Sequence, residues 1–267
     1  PLTARVLVNR VWLHHFGAGL VRTPSDFGFR GDPPTHPELL DDLAVRFVQG
    51  GWSIKQLHRL IMLSNTYQQA SNLRPELAGR DPQNLLVARQ NRRRLEFEAI
   101  RDTILAVSGR LDRTVGGRPV DLAKAEGERR RTLYGFIDRQ NLDALYRTFD
   151  FPKPDTSTPR RVATTVPQQA LFFLNSPFLA EQARHLARLV PLAPGPDPSR
   201  SLDEAARQVI QRAFGRPASS QELALARDFL RDQSEAYASE PDSSGRLSPW
   251  ETYCQTLLMT NELITVD

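Results

Sequence analysis

His14, His15, Asp26 and His36 are the side chains whose types best suit proton transfer or ligation. Imidazole changes charge between pH 5 and 8 without perturbation, and a carboxylate beside it can orient it and favour its charged form. Neighbours on a helix point about 100° apart, so His14 and His15 cannot face one target together. A metal would need a third ligand brought in by folding, such as Asp26, His36 or His58. The spacing is not that of a His-Glu-x-x-His helix, and no metal site is expected. The plainer alternative is one core histidine hydrogen-bonded to a carboxylate and one histidine at the surface. His185, in a segment of Ala, Arg and Leu, is expected at the surface.

Asp26 stands in Thr23-Pro-Ser-Asp-Phe-Gly28, where its carboxylate can accept backbone N–H groups in an Asx-turn while Phe27 anchors the loop in the core. Polar residues on loops held by a rigid scaffold often carry function. The structural alternative is an ion pair with Arg5 or Arg10, and both readings place Asp26 in the interior. Together these residues suggest one polar cluster near the ends of the first two helices. His14, His15 and Asp26 are its catalytic candidates, and Asn9, Arg10 and His36 its binding candidates.

The arginines form a second set. Arg92-Arg-Arg-Leu-Glu-Phe-Glu98 and Arg101-Asp102 place guanidiniums and carboxylates at helical distances. Glu98 and Asp102 share a face, while Glu96 points elsewhere. Solvated ion pairs are the expected outcome, since a paired-carboxylate site needs two groups ~5–9 Å apart across a cleft. Arg129-Arg-Arg131 is either a charged face or a patch for an anionic partner. Arg92, Arg93, Arg130 and Arg131 are therefore further binding candidates. Only Lys55, Lys124 and Lys153 among the 35 basic residues are lysine, and the net charge is +4 because 31 acidic residues are interspersed. A nucleic-acid binder would concentrate its excess charge on one face or stripe, so nucleic acid is not the expected partner.

There is no Ser nucleophile elbow, glycine-rich phosphate loop or Walker lysine. Cys254 is the single cysteine, which excludes an internal disulfide and a Cys-x-x-Cys-His haem attachment. Its place on an apolar helical face suggests a buried thiol. No apolar run approaches the ~20 residues of a membrane span.

Helix starts are strongly signalled. Ser or Thr followed three residues later by Glu or Gln occurs at Thr35/Glu38, Ser53/Gln56, Thr165/Gln168, Ser201/Glu204, Ser219/Glu222 and Ser248/Glu251. Apolar periodicity places helices near 3–16, 36–49, 54–65, 95–108, 166–189, 202–214, 220–236 and 249–262. The second should end at Gly50-Gly51. Thr132–Ile137 could be a short strand, and Phe151–Pro159 a long surface loop. The Pro-rich 191–200 segment divides a main helical domain, 1–190, from a C-terminal three-helix segment, 201–267, expected to pack on it. The fold class is thus mainly α, a multi-helix domain with irregular loops and at most a short β-hairpin.

Several blocks resemble a known family across nearly the whole chain. They include Arg5–Phe16, Thr23–Gly28, Pro34–Leu40, Gly51–Ile61, Leu95–Asp102, Thr164–Leu171, Leu174–Phe178 and Phe214–Pro217. The sequence resembles the planctomycete-specific C-terminal domain of unknown function, found in large exported proteins that carry cytochrome-c-like domains upstream. Met259-Thr260 departs from the more polar end usual in similar proteins. The resemblance implies an exported protein, periplasmic or at the cell surface, with haem c only in upstream domains and no cofactor in this chain. It assigns no catalytic residue. The opening Pro-Leu-Thr-Ala-Arg suggests a cut from a longer chain, whose export signal would lie upstream. The favoured function is a docking or scaffolding module, its partners the upstream domains of the same polypeptide, other exported proteins or a complex polysaccharide. The alternative is a hydrolytic enzyme built on the His14/His15/Asp26 cluster.

Overall fold

The computed structural model describes residues 1–122, 127–192, 198–239 and 245–266. The chain is mainly α and divides into two compact units, the first centred on Pro1–Arg93 and the second on Arg94–Thr156 and Val162–Thr265. The boundary expected at 191–200 falls largely on residues outside the described ones.

The first unit contains α1 (Leu2–Phe16), α2 (Pro37–Gln49), α3 (Ile54–Met62) and the single turn α4 (Pro75–Ala78). Ala4, Val8, Val11, Trp12 and Phe16 recur at helical spacing on α1 and meet Leu40, Leu43 and Phe47 of α2 and Leu57 and Ile61 of α3 in one core. Gly17 ends α1 in the left-handed region, φ 76°, where a glycine avoids the Cβ penalty. A Cβ there would also meet the Arg93 side chain at 2.8 Å. As expected, α2 stops before Gly50-Gly51, with Gly51 left-handed. Trp52 follows with φ 61°, an uncommon conformation for an aromatic residue.

The second unit begins at Arg94, the second residue of β1 (Arg93–Arg94), and goes on to α5 (Phe97–Val107). It continues through α6 (Ala144–Thr148), α7 (Pro167–Asn175), α8 (Pro177–Leu189), α9 (Pro198–Phe214), α10 (Ser220–Ser239), α11 (Pro249–Leu258), α12 (Asn261–Ile264) and β2 (Thr265–Val266). β1 and β2 form a two-stranded sheet. The core joins Ile100 and Ile104 of α5, Leu179 and Leu186 of α8, Val209 and Ile210 of α9, Leu223 of α10 and Leu257 and Leu258 of α11. Burying each such side chain stabilises the fold by roughly 1.5–3 kcal/mol. The C-terminal helices are thus integral to this core.

Three boundaries differ from the sequence reading. The helix expected over 166–189 is two helices, because Ser176 is extended (φ −74°, ψ 121°) before Pro177, as the proline ring demands of its predecessor. The helix expected over 249–262 also breaks, with Thr260 capping α12 through the N–H of Leu263. Thr132–Tyr134 is a 3-10 turn rather than a strand, joined to Val120 only by an isolated bridge at Gly135. Of the expected caps, Ser53, Ser219 and Ser248 accept the N–H three residues on, and Glu222 and Glu251 reciprocate. Thr35 and Thr165 do not cap, and Ser201 lies inside α9. Among the described residues no helix is long and apolar enough to cross a membrane.

Candidate functional site

Helix α1 directs Asn9 inward and His15 to a half-buried flank. Asn9 is fully buried, donates Nδ2–H to the Val21 carbonyl at 3.0 Å and accepts the Val21 N–H at 2.9 Å. It thereby staples the loop after α1, and a Cβ at Gly19 would meet its amide at 2.7 Å. Both ends of this binding candidate are occupied by backbone.

His15 Nε2 lies 2.7 Å from His58 Nδ1, linking α1 to α3 by one hydrogen bond. The Tyr67 ring packs edge-on against His15, centroids 5.3 Å apart, and also against Phe16. Burial first, then the nearby His58, Arg93 and His14, hold the His15 pKa below the ordinary imidazole value. The expected carboxylate partner is replaced by a second imidazole. Among the described residues no carboxylate touches either ring, and no three His, Cys, Asp or Glu side chains gather as a metal centre would need.

The rest of the cluster does not assemble. Asp26 is exposed, contrary to both readings of it. Its Oδ1 accepts the Gly28 N–H at 2.9 Å, the expected Asx-turn. Thr23 closes the loop by donating to the Asp26 carbonyl and accepting the Asp32 N–H. The ion pair expected with Arg5 or Arg10 is absent: Arg5 pairs with Asp41 at 3.2 Å, and Arg10 is exposed. Phe27 does anchor the loop against the core. His14 is exposed, and His36 meets the Thr35 hydroxyl at 3.0 Å.

The arginine candidates also bind within the chain. Arg93 donates to the His14 carbonyl at 2.6 Å and Arg92 to Ser71 at 3.2 Å. Arg130 stacks on Tyr134, 4.2 Å to the ring centroid, and donates to the carbonyls of Arg118 and Gly116. Arg131 pairs with Asp102 at 3.6 Å. The more consequential residue is Arg101, which the sequence places among solvated charges but which is only 5% exposed. It donates to the Arg130 and Glu128 carbonyls and the Thr132 hydroxyl, and lies over Phe178. Its neighbour Asp102 accepts both the N–H and the hydroxyl of Thr132 at 2.7 Å. Ile100 and Ile104, one residue before it and three after, place Arg101 beside the apolar stripe of α5, the one local hint of its burial.

The second unit also has a pocket of about 510 Å³ open to solvent, lined by Phe97, Arg101, Asp143, Phe172, Phe173 and Phe178 among others. Two of its charged groups are engaged within the chain: Asp143 caps α6 through the Leu145 N–H, and Arg101 is held by carbonyls. His185, half-buried on α8, faces Glu181 at 3.7 Å, giving it the carboxylate that His15 lacks.

Residues 1–230 match the family model described as Protein of unknown function (DUF1553). No curated protein and no solved structure matches the chain.

Proposed function

The chain belongs to the DUF1553 family of proteins of unknown function, and from that premise we propose that it is a non-catalytic helical docking module of a larger exported assembly. The observation that supports this reading is the apolar surface of the α2–α3 pair. Val45, Val48, Ile54, Leu60, Met62 and Leu63 are all exposed, Leu63 by 63%, and Trp52 between the two helices is 47% exposed. Groups of large exposed apolar side chains mark interaction sites on soluble domains. Each fixed polar candidate already spends its hydrogen bonds on its own fold, which suits a scaffold better than a reaction centre. The proposed partner is the upstream part of the same polypeptide, where cytochrome-c-like domains and any haem c would lie. A role in handling complex polysaccharide would belong to the assembly.

Calorimetric titration of the chain against that upstream segment tests the reading. Saturable binding that weakens at least tenfold in Leu60→Asp supports it. Absence of binding by a folded chain would defeat it. So would a hydrolytic activity abolished by Asp26→Ala at unchanged melting temperature, which is the outcome required by the alternative, a hydrolase using His14, His15 and Asp26.

A further inference from the structure

We propose that the His15–His58 contact is an acid-sensitive latch between α1 and α3, closed by one shared proton and opened by a second. At 2.7 Å between Nε2 and Nδ1, one imidazole must donate and the other must offer a lone pair. Neutral rings satisfy this in either of two tautomeric pairings, and a pair carrying one extra proton satisfies it more strongly, since the donor is then charged. When both rings are protonated, no lone pair remains and two cations face each other at hydrogen-bond distance.

Among the described residues no anionic group acts on His15 to relieve that repulsion. The charged groups acting on His15 are His58 from α3, its neighbour His14 and the Arg93 guanidinium, none of them anionic. The Tyr67 ring closes a further side. The depressed His15 pKa sets the sign. The unfolded His15 takes up a proton near 6.5 and the folded one takes it up lower, so the stability contributed by its uncharged ring is fully present above about pH 6.5 and is lost as pH falls through the folded value, where the second proton enters the pair.

His58 shares α3 with Ile54, Leu60 and Met62, so opening the latch removes one tie on the helix that carries part of the apolar surface, while Leu57 and Ile61 keep it in the core. This consequence rests on the docking reading, whereas the latch itself does not. Imidazole and aromatic NMR resonances of the whole chain, followed from pH 8 to pH 5, provide the test. In the wild type, His15 and His58 should titrate as a coupled pair, the second step at least about 1 pH unit below the first. The Tyr67 and Trp12 ring resonances should move with that second step. In His58→Gln, which keeps a neutral hydrogen-bonding group beside His15, the ring movements should disappear. Independent titration of both rings near 6.5, or equal Tyr67 movement in His58→Gln, would overturn the latch. Affinity for the upstream segment is then compared at pH 7.5 and pH 5.5. Equal affinities alongside a coupled titration would leave the latch standing and remove its link to docking.

Discussion

In the first unit two polar side chains of α1 are held by uncharged groups, buried Asn9 by the Val21 backbone and half-buried His15 by His58. In the second, two guanidiniums tie together segments of the chain: buried Arg101 within a ring of carbonyls, and partly exposed Arg216 between the carboxylates of Glu222 and Glu262 at 2.6–2.7 Å. Acid therefore reaches these two contacts by opposite routes. It adds charge to the histidine pair, and it removes charge from the carboxylates around Arg216. A residue's type alone does not say which route applies, since Arg101 and Arg130 are both arginines and only the first is deeply buried.

The largest effect expected from breaking this pattern is at Arg101. Arg101→Ala leaves two carbonyls and the Thr132 hydroxyl without their donor, and should cost about 3 kcal/mol in urea unfolding. Arg101→Lys should recover less than half of that, because an ammonium cannot reproduce the planar fork that reaches three acceptors. Full recovery by lysine would show that charge, and not geometry, holds the 128–132 segment.

Asn9→Ala should cost about 2 kcal/mol, since both backbone groups of buried Val21 lose their partner. A loss confined to a few tenths would mean that the loop after α1 reorganises freely. The smallest effect is expected from Glu222→Gln, about 1 kcal/mol at pH 7, because the Arg216 pair is partly exposed and screened. The Arg216 hydrogen bonds, helped by Ser219, hold the Glu222 carboxyl down at about 2. Its folded value is depressed, so its contribution is full above the unfolded value near 4.5 and lost as pH falls through about 2. Stability differences between Glu222→Gln and wild type should accordingly shrink between pH 5 and pH 2. A constant difference would mean that the ionised carboxylate contributes nothing, since its Arg216 and Ser219 bonds both favour the charged form.

What the sequence revealed was whatever is encoded within a turn or two of helix. Ser53, Ser219 and Ser248 announced their helices because a cap and its N–H are three residues apart. The break at Ser176-Pro177 was equally local and was outweighed by the apolar run on both sides of it. The site was less legible because its contacts are distant along the chain. His15 meets a residue 43 positions away, and Arg101 meets carbonyls 27 and 29 positions away. Helical spacing places such a side chain on a face without naming what covers it. Asp26 shows the converse: its Asx-turn was readable, and its exposure was not, because Arg5 could equally pair with Asp41.

Cys254, fully buried on α11, has a thiol that burial pushes up to about 12. Only the thiolate attacks alkylating reagents, and at pH 8 almost none exists at that site. While it stays folded, the chain therefore behaves towards maleimides as if it had no cysteine. A cysteine introduced at an exposed position such as Leu63 would carry a fluorophore alone, with the native residue left in place.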